Sequence, residues 1–135
     1  MTAFSNFLEN ALLNATLRNV TYSPASSGIV FISLYTTDPA DDDSGTEVAA
    51  SGYDRFEVSA GLGGFTTASG GSCRNAEAWE FLTATTAWGS ISHFGIHDAT
   101  TAGNLLYHGV LTTTKVVGTD DIVRFPVNTL SVKLD

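Results

Sequence analysis

Three histidines, His93, His97 and His108, and an acidic run containing Asp41, Asp43 and Glu47 are the residues whose types could do chemistry. A neutral imidazole moves protons near pH 7 or binds zinc, and several carboxylates in one short loop suit a hard cation such as calcium. His93 and His97 are four apart, which on a helix would place them on one face. The surrounding Ser-Ile-Ser-His-Phe-Gly-Ile-His pattern reads instead as a strand, where that spacing puts them on the same side but about 13 Å apart, too far for one ion. His108 could approach across a hairpin, so a three-histidine site stays geometrically open. The plainer reading is polar rings on a half-buried sheet beside Phe94 or Tyr107. The acidic run fails the EF-hand test in every register, and its plainer reading is a solvated loop opened by Asp38-Pro39.

Other catalytic patterns are missing from the sequence. No G-x-S-x-G elbow occurs, and the glycine-rich stretch lacks the Lys-Ser/Thr ending of a phosphate loop. Glu77 and Glu80 fall on opposite faces of an extended segment, which removes an acid/base couple. A lone Cys73 allows neither an internal disulfide nor a thiolate cluster. These observations argue for a protein that is not an enzyme and uses no cofactor. The chain has 6 basic against 14 acidic residues and a formal charge of −8, so its field repels phosphate backbones and anionic membranes. Nucleic acid and membrane are not expected as partners; the longest apolar run, Ile29 to Tyr35, is strand-sized. The N-terminus lacks a basic n-region, and the expected place of synthesis is a reducing cytoplasm.

The elements that must position these residues follow from periodicity. Phe4, Leu8, Ala11, Leu12 and Ala15 form one stripe of a helix over about 5–18, with Asn6 and Glu9 as a capping box. Gly28 to Tyr35 is apolar on both faces and reads as a central, covered strand. An acidic loop at 37–47 separates it from a half-buried strand at 53–58, and a glycine-rich loop follows at 61–72. Further strands are expected at 76–83, 90–98, 104–114, 121–125 and 127–134, with a hairpin turning at Asp98 to Gly103 and a bulge or edge at Pro126. The fold class is mainly β: an antiparallel β-sandwich or barrel-like domain with one short N-terminal α-helix, a single β-rich domain over 1–135.

Ordered phrases run nearly end to end: Phe4-Ser-Asn-Phe-Leu-Glu-Asn10, Leu34-Tyr-Thr-Thr-Asp-Pro39, Ser44-Gly-Thr-Glu-Val48, Gly52-Tyr-Asp-Arg55, Trp88-Gly-Ser-Ile-Ser-His-Phe-Gly-Ile96, Gly103-Asn-Leu-Leu-Tyr-His-Gly109 and Leu111-Thr-Thr-Thr-Lys-Val116. Together they resemble a family of small tailed-bacteriophage virion proteins whose members are often named tail fibre proteins. The resemblance implies a non-enzymatic structural component of a phage particle, made in the host cytoplasm. A fibre must span a long distance through coiled coil, repeats or several hundred residues, none of which this chain offers. The expectation is therefore a capsid cement, or head decoration, protein that bridges neighbouring major capsid protein subunits on the capsid surface. Self-association, as a trimer, is expected with it. The helix or the 61–72 segment would touch the shell and the acidic loop would face solvent. The alternative is a small tail fibre or tail-associated component. A third reading is a carbohydrate- or receptor-binding module in which Trp79 and Trp88 stack on sugars, although tryptophans in a β-rich domain ordinarily anchor the core.

Overall fold

The computed structural model describes residues 2–25, 28–58 and 63–134. In chain order its elements are β1 (Thr2–Phe4), α1 (Asn6–Arg18), β2 (Val30–Tyr35), β3 (Phe56–Val58), β4 (Ser72–Arg74), β5 (Trp79–Glu80), β6 (Gly89–His97), β7 (Leu105–Val117), β8 (Arg124–Phe125) and β9 (Ser131–Lys133). Five strands form an antiparallel sheet in the order β1-β7-β6-β2-β3, and two short ribbons, β4-β9 and β5-β8, lie outside it. The fold is mainly β with one N-terminal helix. Of the sandwich and barrel-like alternatives, no closed barrel forms among the described residues, because β1 and β3 stand at opposite edges of an open sheet.

The Ile29–Tyr35 run behaves as its composition requires: β2 is buried from Phe31 to Tyr35 and lies between β3 and β6. Alternation sends Ile32 and Leu34 into the main core with Ile91 and Ile96 of β6, and the two ribbons cover that side with Trp79, Phe125 and Val132. Trp79 stacks on Phe56 at 5.9 Å between centroids and meets Phe65 edge-on at 5.1 Å, while Trp88 meets Tyr53 edge-on at 5.4 Å. Both tryptophans are core anchors, 2 % and 4 % exposed, and neither offers a ring to a sugar.

Helix α1 begins one residue away from the expected cap. Ser5, not Asn6, is the N-cap: its backbone is extended, and its hydroxyl accepts from Leu8 N at 3.2 Å while donating to the Leu105 carbonyl. The bond to Leu105, together with Ser5 N donating to the Leu106 carbonyl at 3.0 Å, fixes the helix to β7. The predicted stripe does face the sheet, with Leu8 buried and Ala11, Leu12 and Ala15 half-buried, whereas Leu13 and Leu17 stand in solvent. The Asp98–Gly103 hairpin forms between β6 and β7. Buried Asp98 organises it by accepting from Asn104 N at 2.7 Å, Asn104 Nδ2 at 2.9 Å and Ala25 N at 2.9 Å. Burial alone would raise the Asp98 carboxyl, but these donors hold it below the ordinary carboxylate value.

Four predicted strands shorten, with 53–58 reduced to Phe56–Val58 and 121–125 to Arg124–Phe125, and one side chain accounts for the other two. The 76–83 segment pairs only at Trp79–Glu80, and the 127–134 segment only at Ser131–Lys133. Between them lies fully buried Asn75, whose amide donates to the carbonyls of Glu77 and Pro126 at 2.8 Å each and accepts from Leu130 N at 2.9 Å. Pro126 opens a turn, with Thr129 N bonding back to its carbonyl at 3.2 Å and Asn128 left-handed at φ 64°, where a bulge or edge was expected. A side chain thus replaces ladder bonds that two longer strands would have made. Of the glycine-rich 61–72 segment, residues 61 and 62 lie outside the described residues; the remainder turns back through a Ser69–Ser72 bridge into β4. Asn75→Ala leaves the Leu130 amide without its acceptor and is expected to lower the unfolding free energy by about 2–3 kcal/mol in urea titration. A loss under about 0.5 kcal/mol would contradict this role for Asn75.

Candidate functional site

The face of the large sheet turned away from the main core carries the residues singled out for chemistry. Register sets Tyr35 opposite His93, Ser33 opposite Gly95 and Phe31 opposite His97, and Gly95 in turn opposite His108 on β7. Gly95 makes room there: a Cβ would come within 2.6 Å of Ser33 Oγ, 2.9 Å of a Leu105 methyl and 3.0 Å of the Tyr35 ring. A glycine in a central strand weakens it, and here crowding requires one.

The acidic loop folds onto this face. Asp38 Oδ1 accepts from Ala40 N at 3.0 Å and Asp42 Oδ1 from Ser44 N at 3.2 Å, turns that the left-handed Ala40 and Asp43 complete. The Ser44 bonds also hold the exposed Asp42 carboxyl below its ordinary value. A Cβ on Gly45 would lie 2.6 Å from Pro39 Cα, so the loop closes on itself only with glycine at that position. Asn6 N donates to the Asp41 carbonyl at 2.8 Å and ties the loop to the first turn of α1.

Three loop carboxylates meet the imidazoles. Asp43 Oδ2 is 3.3 Å from His97 Nε2, Asp41 Oδ1 is 3.0 Å from His108 Nε2, and Asp38 lies 3.7 Å from His108 Nδ1 and 3.9 Å from His93 Nε2. The loop therefore stays exposed, as expected, yet its charges are turned toward the sheet and not simply out to water. His97 is fully buried. Its Nδ1 lies 3.0 Å from Ser33 Oγ, and Asp43 can only accept at Nε2, so the partners place the proton on Nε2. Burial, helped by the Arg55 guanidinium, holds His97 below the ordinary imidazole value despite Asp43 and Glu47, and its ring is neutral at pH 7. Tyr35 stacks on it and donates to Asp43 Oδ1 at 2.5 Å; burial and that bond push the phenol well above its usual value.

Glu47 belongs to a neighbouring network. Arg55 grips it with two bonds of 2.8 and 2.7 Å and reaches the carbonyls of Ala99 and Ala102 at 2.9 and 2.8 Å. Tyr53 donates to Glu47 at 2.8 Å and accepts from Leu34 N at 2.9 Å. Burial works to raise the Glu47 carboxyl, but the Arg55 bonds and charge outweigh it and leave it low. The structure thus brings Asp43 to His97 and Asp41 to His108, leaves His93 with Asp38 alone at 3.9 Å, and commits Glu47 elsewhere. Among the described residues no group of three or more His, Cys, Asp or Glu side chains is arranged to hold a metal ion, and no buried side-chain polar atom lacks a partner. The arrangement clasps a loop to a sheet. Asp38, Tyr35 and Arg55, which carry much of it, have no spacing signal that would single them out; the register of β2 against β6 reveals Tyr35, and the folding of the loops reveals the other two.

Residues 3–133 match the family model described as podophage GP4 fiber I protein gp80. The chain belongs to that family. It is accordingly a phage virion structural protein of a non-enzymatic fibre family, and its partners are other virion proteins. The family corrects the expectation of a capsid cement protein and supports the fibre alternative. A search of curated proteins finds no match to the chain.

Arg55→Ala strands a half-buried Glu47 and is expected to cost about 1–3 kcal/mol of stability by chemical denaturation. Glu47 is held low in the fold, so the contribution of the pair is complete above the ordinary glutamate value of about 4.3 and drains away as pH falls through the folded value. Glu47→Gln should therefore flatten the acid limb of the stability curve; an unchanged acid limb would show that the pair is not what titrates.

Proposed function

We infer that this protein is a small, passive component of the phage tail-fibre apparatus, held in place by docking on other virion polypeptides. The observation that carries the reading is the family match over residues 3–133. The structure supports it in two ways. The ionisable groups with the most unusual surroundings, His97, Glu47 and Arg55, are consumed by internal bonds and present no open reactive atom. Large apolar side chains meanwhile remain in solvent, including Leu17 and Val116 at 77 % exposure each, as suits a protein that finishes its burial against neighbours.

The test is fractionation. Virions are disrupted gently, heads are separated from tails on a density gradient, and this protein is followed by immunoblot. It is expected to travel with the tail and fibre fraction, in fixed ratio to the other fibre polypeptides. Recovery with the heads, in proportion to the major capsid protein, would overturn the reading.

A further inference from the structure

A groove of about 320 Å³ opens beside the outer edge of β7, on a part of the molecule that the histidine face does not use. One wall is built by β7 residues between Val110 and Lys115. The other comes from residues between Arg124 and Ser131, and buried Phe94 and Leu130 line the groove as well. Two features of the sheet shape it. β1 pairs with β7 only at Tyr107 to Gly109, so among the described residues β7 has no outer neighbour beyond that point. The register against β6 then jumps from His93↔Val110 to Ile91↔Lys115, which places four β7 residues opposite Ser92 alone and pushes Leu111 to Thr114 into a bulge. Thr2 also lines the groove, which forms a lane along β7 starting where the described pairing with β1 stops. A lane six residues long accepts an extended segment of about 20 Å.

Charge narrows the occupant. The chain carries 14 acidic and 6 basic residues, yet among the described residues no aspartate or glutamate lines this groove, while Lys115 and Arg124 both do. Among the described residues Arg124 pairs with Glu80 at 3.9 Å, an exposed pair of little strength. A second copy is a poor fit, since edge-to-edge pairing of β7 would oppose two bulges, bring like-charged lysines together and join two bodies of −8 each. We propose that the groove binds an extended acidic segment of a different virion polypeptide, added as a strand along the free edge of β7. Backbone bonds and the apolar lining supply adhesion, and Lys115 and Arg124 select for negative charge.

This inference deepens the fibre reading by naming the chemistry of a partner. A benzophenone amino acid placed at Thr113 in phage-borne protein is irradiated in intact virions, and the attached peptide is sequenced by mass spectrometry. The expected adduct is a net-acidic segment of another virion polypeptide, reduced at least tenfold by Lys115→Glu with Arg124→Glu. Circular dichroism and thermal unfolding of the purified double variant check that it stays folded. A neutral or basic segment, a second copy of this chain, a polyanionic carbohydrate, no adduct, or an adduct indifferent to charge reversal would each overturn the proposal. Fractionation with heads alongside an acidic-segment adduct would keep the groove and discard only the fibre placement.

Discussion

β2 is buried on both faces, and a strand in that position has to be covered twice. On one side the cover is apolar: Ile32 and Leu34 meet Ile91, Ile96 and Trp79. On the other, Ser33 and Tyr35 bring two hydroxyls under cover and must find partners for them. His97 supplies both, bonding Ser33 through Nδ1 and lying 3.3 Å from the Tyr35 hydroxyl through Nε2. Asp43 then bonds Tyr35 and His97 together, and through Asp43 the whole acidic loop is drawn onto the sheet. Gly95 leaves the space in which this layer fits, and Asn6 and Ser5 attach α1 to the same assembly. Loop, helix and central strands are thus consequences of one covered polar layer.

A layer of this kind contributes more to specificity than to net stability. Each hydrogen bond gained on folding replaces one to water, with a balance near 1 kcal/mol, whereas an unmade one in the same place costs the full desolvation of the group. A one-residue slip of β2 against β6 would turn Ser33 and Tyr35 into the apolar core and Ile32 and Leu34 toward the imidazoles, so the layer holds the register. The Arg55–Glu47 pair acts similarly for the hairpin, since Arg55 also binds the Ala99 and Ala102 carbonyls at its turn. The product is a body whose reactive side chains are satisfied internally and whose outer surfaces are left for contact. That is the physical description of a structural part, and it agrees with membership of a phage fibre family.

What was legible in the sequence was local or strictly periodic. The helix, the covered central strand, the Asp98 hairpin and the buried tryptophans follow from apolar spacing and turn chemistry within a few residues. The shortening of the 76–83 and 127–134 strands was hidden because Asn75 bonds Leu130, 55 positions away, in place of a ladder. The histidines and the acidic loop each carried a visible signal, but their union did not, because His97 and Asp43 are 54 positions apart and only register joins them. Read separately, each cluster leaves a cation site open beside its plainer reading; together they satisfy one another. The place in the virion was hidden for another reason, since it depends on partners whose sequences are not in this chain.

The polar layer can be tested at the imidazole of His97. Long-range nitrogen–proton correlation spectra, recorded across a pH series on uniformly labelled protein, report the tautomer and titration of each histidine. The expected result is a neutral His97 ring at pH 7 with its proton on Nε2, a midpoint below the ordinary imidazole value, and loss of that signature in Asp43→Ala. A His97 ring charged at pH 7, or one protonated on Nδ1 and indifferent to Asp43, would mean that the acidic loop is not clasped to the sheet.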